Sequence, residues 1–164
     1  MVLLQETHLL GIKCNLLGRY GYNRVLYTGL TRGSRGIAIL FRRSFPFKLL
    51  GSVSDLMGRF VTAWGTLEGK PFSFASAYIP PQMQSPTFQE LGKAILDLLR
   101  GTTVLDGDWN AMVDRELDLS LGVGSRVQPA DSRFRAWTSS LGLCDVLRIW
   151  NPQTRQFTHT SAAH

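Results

Sequence analysis

The sequence predicts an α/β fold in which layered strands carry helices on their outside. Three observations predict it. Two β-rich runs, Phe60–Leu67 and Pro71–Tyr78, are joined by Glu68-Gly69-Lys70, the pattern of a hairpin. Phe88, Leu91, Ile95, Leu98 and Leu99 then keep helical spacing as far as Arg100-Gly101, and the chain passes directly into the apolar, β-branched run Thr102–Leu105. That is the helix-to-strand step of a layered sandwich. Finally, 164 residues, 44% of them hydrophobic, can bury a sizeable core. No repeat or low-complexity linker divides them, so residues 1–164 are expected to form a single domain.

The elements follow in order. Val2–Gln5 reads as a buried strand running into Glu6-Thr7-His8. A carboxylate just past a strand end is a good ligand position, though a solvated glutamate sits there equally well. His8 reads as a polar or packing residue. Leu9–Leu17 is apolar, helix or loop, and Gly18 closes it. Arg24–Tyr27 reads as a short strand, Thr28–Arg35 as a mobile basic loop, and Gly36–Phe41 as a central strand ending in Arg42-Arg43. Pro80-Pro81 stops the sheet after Tyr78. Ser85-Pro86 starts the first long helix. Asp131-Ser132 caps the second, with Phe134, Trp137 and Leu141 on one face. Leu143–Trp150 is a further apolar stretch, and Gln156–Thr160 reads as a last strand.

The polar ending of the run from Thr102 is the most informative stretch. Asp106 and Asp108 flank Gly107, and Asn110 follows Trp109. Such a cluster can hold a hydrated cation or orient a water. It can equally be a plain Asp-Gly turn.

Charge sharpens the reading. The net charge is +6, and every basic residue except Lys13, Lys48, Lys70 and Lys93 is arginine. No acidic residue occurs from Thr7 to Ser54, whereas Asp106, Asp108, Asp114, Glu116 and Asp118 crowd a short span. A basic half and a local acidic cluster suggest a polyanion partner and a cation site in one protein. The plainer alternative is a solvated arginine coat. No apolar run approaches the roughly 18 residues that span a bilayer, and Glu6 cuts short the apolar start. No membrane partner is expected. Cys14 and Cys144 make no disulfide framework and are expected to be reduced, buried thiols of an intracellular protein.

Four motifs occur in order at fitting spacings: Leu4-Gln5-Glu6-Thr7-His8, Gly36-Ile37-Ala38-Ile39-Leu40, Tyr78-Ile79-Pro80 and Gly107-Asp108-Trp109-Asn110. Together they resemble the endonuclease/exonuclease/phosphatase family, above all the apurinic-type endonuclease domain of LINE-type (non-LTR) retrotransposon polyproteins. Leu117-Asp118, Leu143–Arg148, Pro152, Phe157-Thr158 and Ser161 look like that subfamily's continuation. The likeness covers nearly the whole chain.

The resemblance implies a four-layer fold, a two-sheet β-sandwich flanked by helices. It also implies a fragment, incomplete at both termini. The family's first strand, with its asparagine, and its closing strand and aspartate-histidine pair have no match here. His164 matches the loop before that pair and takes no catalytic role. Glu6 matches the glutamate that binds magnesium (or manganese). Tyr78 matches the tyrosine that contacts the scissile phosphate. Asp108 matches the aspartate that orients or deprotonates the attacking water, and Asn110 the asparagine that hydrogen-bonds the phosphate. Trp109 replaces the usual phenylalanine, and Asp106 stands where the family is apolar or small. Arg32, Arg35, Arg42 and Arg43 are expected to grip backbone phosphates.

The implied reaction is metal-dependent phosphodiester hydrolysis on DNA, with a reverse transcriptase domain in cis and a nuclear location if chromosomal DNA is the target. The isolated fragment is expected to cleave barely, if at all. The alternative is a non-catalytic nucleic-acid-binding remnant or domesticated module of the same fold. A phosphatase of small phosphoesters fits the long basic segment less well.

Overall fold

The structure, a computed structural model, describes residues 1–8, 15–29, 36–80, 87–98, 100–118 and 129–155. Among these residues seven strands form two sheets. One has the order β1 (Val2–Leu4), β3 (Ile37–Arg42), β2 (Tyr22–Thr28), all antiparallel. The other has the order β4 (Phe47–Ser54), β5 (Phe60–Leu67), β6 (Lys70–Tyr78), β7 (Thr102–Asp108). Its first three strands are antiparallel, and β7 joins β6 in parallel. A parallel neighbour needs a crossover. That crossover carries α1 (Thr87–Leu98). Three further helices follow: α2 (Arg115–Asp118), α3 (Pro129–Ser140) and α4 (Val146–Trp150).

The period of two along each strand builds two cores. Ile37, Ile39 and Phe41 of β3 meet Val61 and Ala63 of β5 and Phe74 of β6 between the sheets. The alternate residues Phe60, Ala75 and Ala77, with Ile79 just past β6, meet Phe88 and Ile95 of α1 and Phe134 and Trp137 of α3. Each fully buried Val, Ile or Phe among them contributes about 1.5–3 kcal/mol. The layers are thus helices, four-stranded sheet and three-stranded sheet. Beside the last of these, a 3-10 helix, Asn15–Tyr20, contacts β2.

The hairpin between β5 and β6 turns on Glu68 and Gly69 alone, both at positive φ (51° and 79°), as a tight two-residue hairpin requires. Four expectations change. Residues 44–59 held no expected element, yet Phe47–Ser54 is a strand alternating half-buried and exposed. The second long helix begins at Pro129, not at an Asp131 cap. Asp131 is inside its first turn, 2% exposed, and its Oδ1 accepts from the Met112 backbone N–H at 3.0 Å. Gly107 lies within β7, not in a hairpin turn, because parallel pairing with β6 extends through Tyr78↔Asp108. Cys144 is exposed, not buried, because it follows a helix end in a surface turn. Cys14, the Ser85-Pro86 helix start, the strand Gln156–Thr160, His164 and most of the basic loop lie outside the described residues.

Candidate active site

The strands share a polarity. Their registers within each sheet, and the Gln5–Ser76 and Thr28–Asp55 hydrogen bonds between the sheets, bring the ends of β1, β2, β4, β6 and β7 and the starts of β3 and β5 to one end of the sandwich. On β6 and β7 the pairs Ser76↔Asp106 and Tyr78↔Asp108 share one face, which is the face Tyr78 turns to the inter-sheet core. Leu105 and Trp109 point the other way and pack under the helices. Gly107 permits the close pairing. A Cβ there would stand 2.6 Å from the Ala77 carbonyl oxygen and 2.9 Å from the Trp109 ring.

Past β7 the backbone turns by a local device. Asp108 Oδ1 accepts from the Asn110 backbone N–H at 3.1 Å, an Asx turn. Asn110 Nδ2 donates to the Ile79 carbonyl at 2.9 Å, and the Ile79 N–H donates to the Asp108 carbonyl at 2.9 Å. The exits of β6 and β7 are thereby latched to each other. Asp108 keeps its Oδ2 as an acceptor, and Asn110 keeps its Oδ1 and a second amide hydrogen. Both side chains belong to exposed residues.

The three-stranded sheet reaches this edge through Gln5. Its Nε2 donates to Ser76 Oγ and to Asp106 Oδ2, each at 2.8 Å. Glu6, the next residue, is exposed and held at φ 47°. The Thr7 N–H donates to the Gly36 carbonyl at 2.9 Å. Gly36 sits at φ 119°, and a Cβ there would lie 2.5 Å from Thr7 Oγ1, so only glycine lets the two segments meet. Positive φ at a non-glycine residue is uncommon. Glu6, His8 and Asn110 all show it, so three of the four such residues described lie at this edge. Local strain of this kind concentrates at functional sites.

The turn from β4 to β5 also lies at this edge. Asp55 accepts from the Arg59 backbone N–H at 3.0 Å and from Arg59 Nε at 2.9 Å. Burial by itself raises the Asp55 pKa. The side-chain and backbone hydrogen bonds from Arg59, a backbone bond from Met57 and the guanidinium charge outweigh it and hold the carboxyl below its ordinary value. The Arg59 carbonyl accepts from the Tyr78 N–H at 2.9 Å, and the Asp55 carbonyl accepts from the Thr28 hydroxyl.

Of the residues expected from sequence, the structure brings Tyr78, Asp108 and Asn110 together directly. It joins Glu6 to them through its neighbour Gln5. Arg42 and Arg43 lie at the other end of β3, about 17 Å away at the rise of a strand. They do not join this edge. Arg32 and Arg35 lie outside the described residues. Sequence reasoning missed the Gln5–Ser76 pair and the Asp55–Arg59 turn. A short-range signal existed only for the latter, an aspartate four residues before an arginine.

Among the described residues no three carboxylate, histidine or cysteine side chains gather as a metal cage. Magnesium keeps several of its waters and takes one or two carboxylates. Among these residues no metal site is formed; the exposed Glu6 and Asp108 carboxylates at this edge are single ligands of the kind a hydrated magnesium ion takes.

No family model matches the chain. It is 27% identical over 162 residues to the transposon TX1 uncharacterized 149 kDa protein of Xenopus laevis, across 95% of this chain and 12% of that protein. Among solved structures, the human Nocturnin catalytic domain with bound sulfate aligns at a TM-score of 0.63 and 17% identity, across 91% of this chain and 59% of that one. A D. rerio TDP2 humanized by 14 mutations aligns at 0.53 and 18%, across 93% and 59%. The resemblance read in the sequence holds at the level of fold: this is the α/β sandwich of the endonuclease/exonuclease/phosphatase type.

Proposed function

We propose that the chain is the endonuclease domain, or part of it, of a retrotransposon-type polyprotein, and that it hydrolyses phosphodiester bonds in DNA with a divalent metal. The observation that carries this reading is the latch between β6 and β7, which sets Tyr78, Asp108 and Asn110 on one edge beside Gln5-Glu6. The similarity to a transposon protein supports the biological setting. The chain spans 12% of that protein's length; a reverse transcriptase in cis, and a nuclear location if chromosomal DNA is the target, are part of the same proposal.

Each residue has a task its geometry allows. Asp108, steadied through Oδ1, uses Oδ2 to orient a water or take its proton. Asn110 and the Tyr78 hydroxyl hydrogen-bond the phosphate oxygens and fix its angle to that water. Glu6 would hold magnesium or manganese, which supplies Lewis-acid stabilisation of the phosphate when bound.

The test is nicking of supercoiled plasmid by the purified chain, with magnesium, with manganese and with chelator. Metal-dependent nicking that Asp108→Ala reduces by about 10³-fold or more supports the proposal. Tight DNA binding without nicking, in this chain and in longer versions of it, leaves the non-catalytic binding module standing instead. Nicking unaffected by Asp108→Ala would assign the chemistry elsewhere.

A further inference from the structure

The end of the sandwich remote from the candidate active site is the basic one. Tyr22 opens β2 opposite Arg42 at the close of β3, with the Arg42 guanidinium 5.4 Å from the centre of the Tyr22 ring. The approach is a cation–π contact. Beside it an open cleft of about 580 Å³ is lined by Gly18, Gly21, Tyr22, Asn23 and Arg43. Both glycines face open space, since a Cβ at either would meet nothing within 4 Å. Tyr20, between them, is 73% exposed, and Arg19 is exposed before it. Among the described residues Arg19, Arg42 and Arg43 form no ion pair. Lys48 and Lys70 begin the second sheet at this same end, against Glu68.

The arginines supply charge, and the exposed Tyr20 ring, adjacent in sequence to the cleft-lining Gly21, adds a surface on which a base can stack. We propose that this end is a second nucleic-acid site, distinct from the cleavage edge, and that it takes single-stranded nucleic acid. Arg19, Arg42 and Arg43 meet phosphates, Tyr20 stacks a base, and the cleft beside Tyr22 admits a nucleotide. Stacking on an exposed ring needs an unpaired base, which a single strand offers and an intact duplex does not. Guanidinium groups alone would not discriminate between them.

The test is fluorescence anisotropy of the whole chain with labelled oligo(dT) and with a duplex of equal length, over a salt series. Tyr20→Ala is chosen because the residue is 73% exposed, and circular dichroism checks the fold of each variant. It is expected to weaken oligo(dT) binding about tenfold with little change for the duplex. Arg42→Gln with Arg43→Gln is expected to lower the oligo(dT) salt slope by roughly 0.7 per lost contact. Lys93→Gln, which removes a single positive charge from α1, should alter neither. Unchanged oligo(dT) affinity in the tyrosine and arginine variants would overturn the proposal. Equal losses for oligo(dT) and duplex in Tyr20→Ala would overturn it too, leaving general polyanion attraction.

Discussion

Asp55 shows how one side chain sets part of the site's frame. Its carboxylate holds Arg59, whose carbonyl positions Tyr78. The pKa of Asp55 is lower folded than unfolded, so its contribution is fully present above the ordinary value of 3.8 and is lost as pH falls through the folded value. Asp55→Asn should therefore cost about 1–2 kcal/mol at neutral pH. The gap to the parent should close as urea denaturation is repeated below pH 3.8. At this scale the sequence was partly legible. Tyr78, Asp108 and Asn110 each stood at a strand end with a polar head, and a strand end is where chemistry can emerge. Gln5 and Ser76 carried no such sign, because their hydrogen bond spans 71 residues and depends on how two sheets face each other.

Elements with strong local periodicity were legible too: β3, the β5–β6 hairpin and α1 lie where the pattern of residues put them. β4 was not, since Gly51 and Leu50 break its alternation. Only the structure shows the bulge there and the Trp64 ring that fills Gly51's missing side chain. The register of β7 was hidden for a related reason. Asp-Gly favours a turn locally, and parallel pairing with β6 overrides it. The contact of α1 with α3 gives a sharp test of packing against propensity. Gly92→Ala gains about 1 kcal/mol of helix propensity. The new Cβ would lie 1.9 Å from Nε1 of Trp137, a ring only 8% exposed. Overpacking costs about 1–3 kcal/mol, and the buried ring cannot swing clear. Net destabilisation by calorimetry is the expected outcome.

Across the whole molecule the two sheets are joined differently at their two ends. Phe41, Phe45, Phe47 and Phe74 interlock at the basic end, with ring centres 5.0–6.4 Å apart. At the candidate active edge the joints are polar: Gln5 to Ser76 and Asp106, and Thr28 to Asp55. Gln5→Leu should thus leave the fold intact and lower the melting temperature by only about 2–4 °C. Any nicking activity should fall much further, because Glu6 loses its tether. Equal small losses in both would make the clamp merely structural. The position of that tether also bears on how the molecule assembles. β4 to β7 close by contacts between successive elements, whereas Gln5 must find Asp106 across 101 residues of chain. Long loop closures come late and slowly in folding. The reactive edge is therefore completed after the core that supports it, and gain of activity should lag gain of tryptophan burial in a refolding experiment.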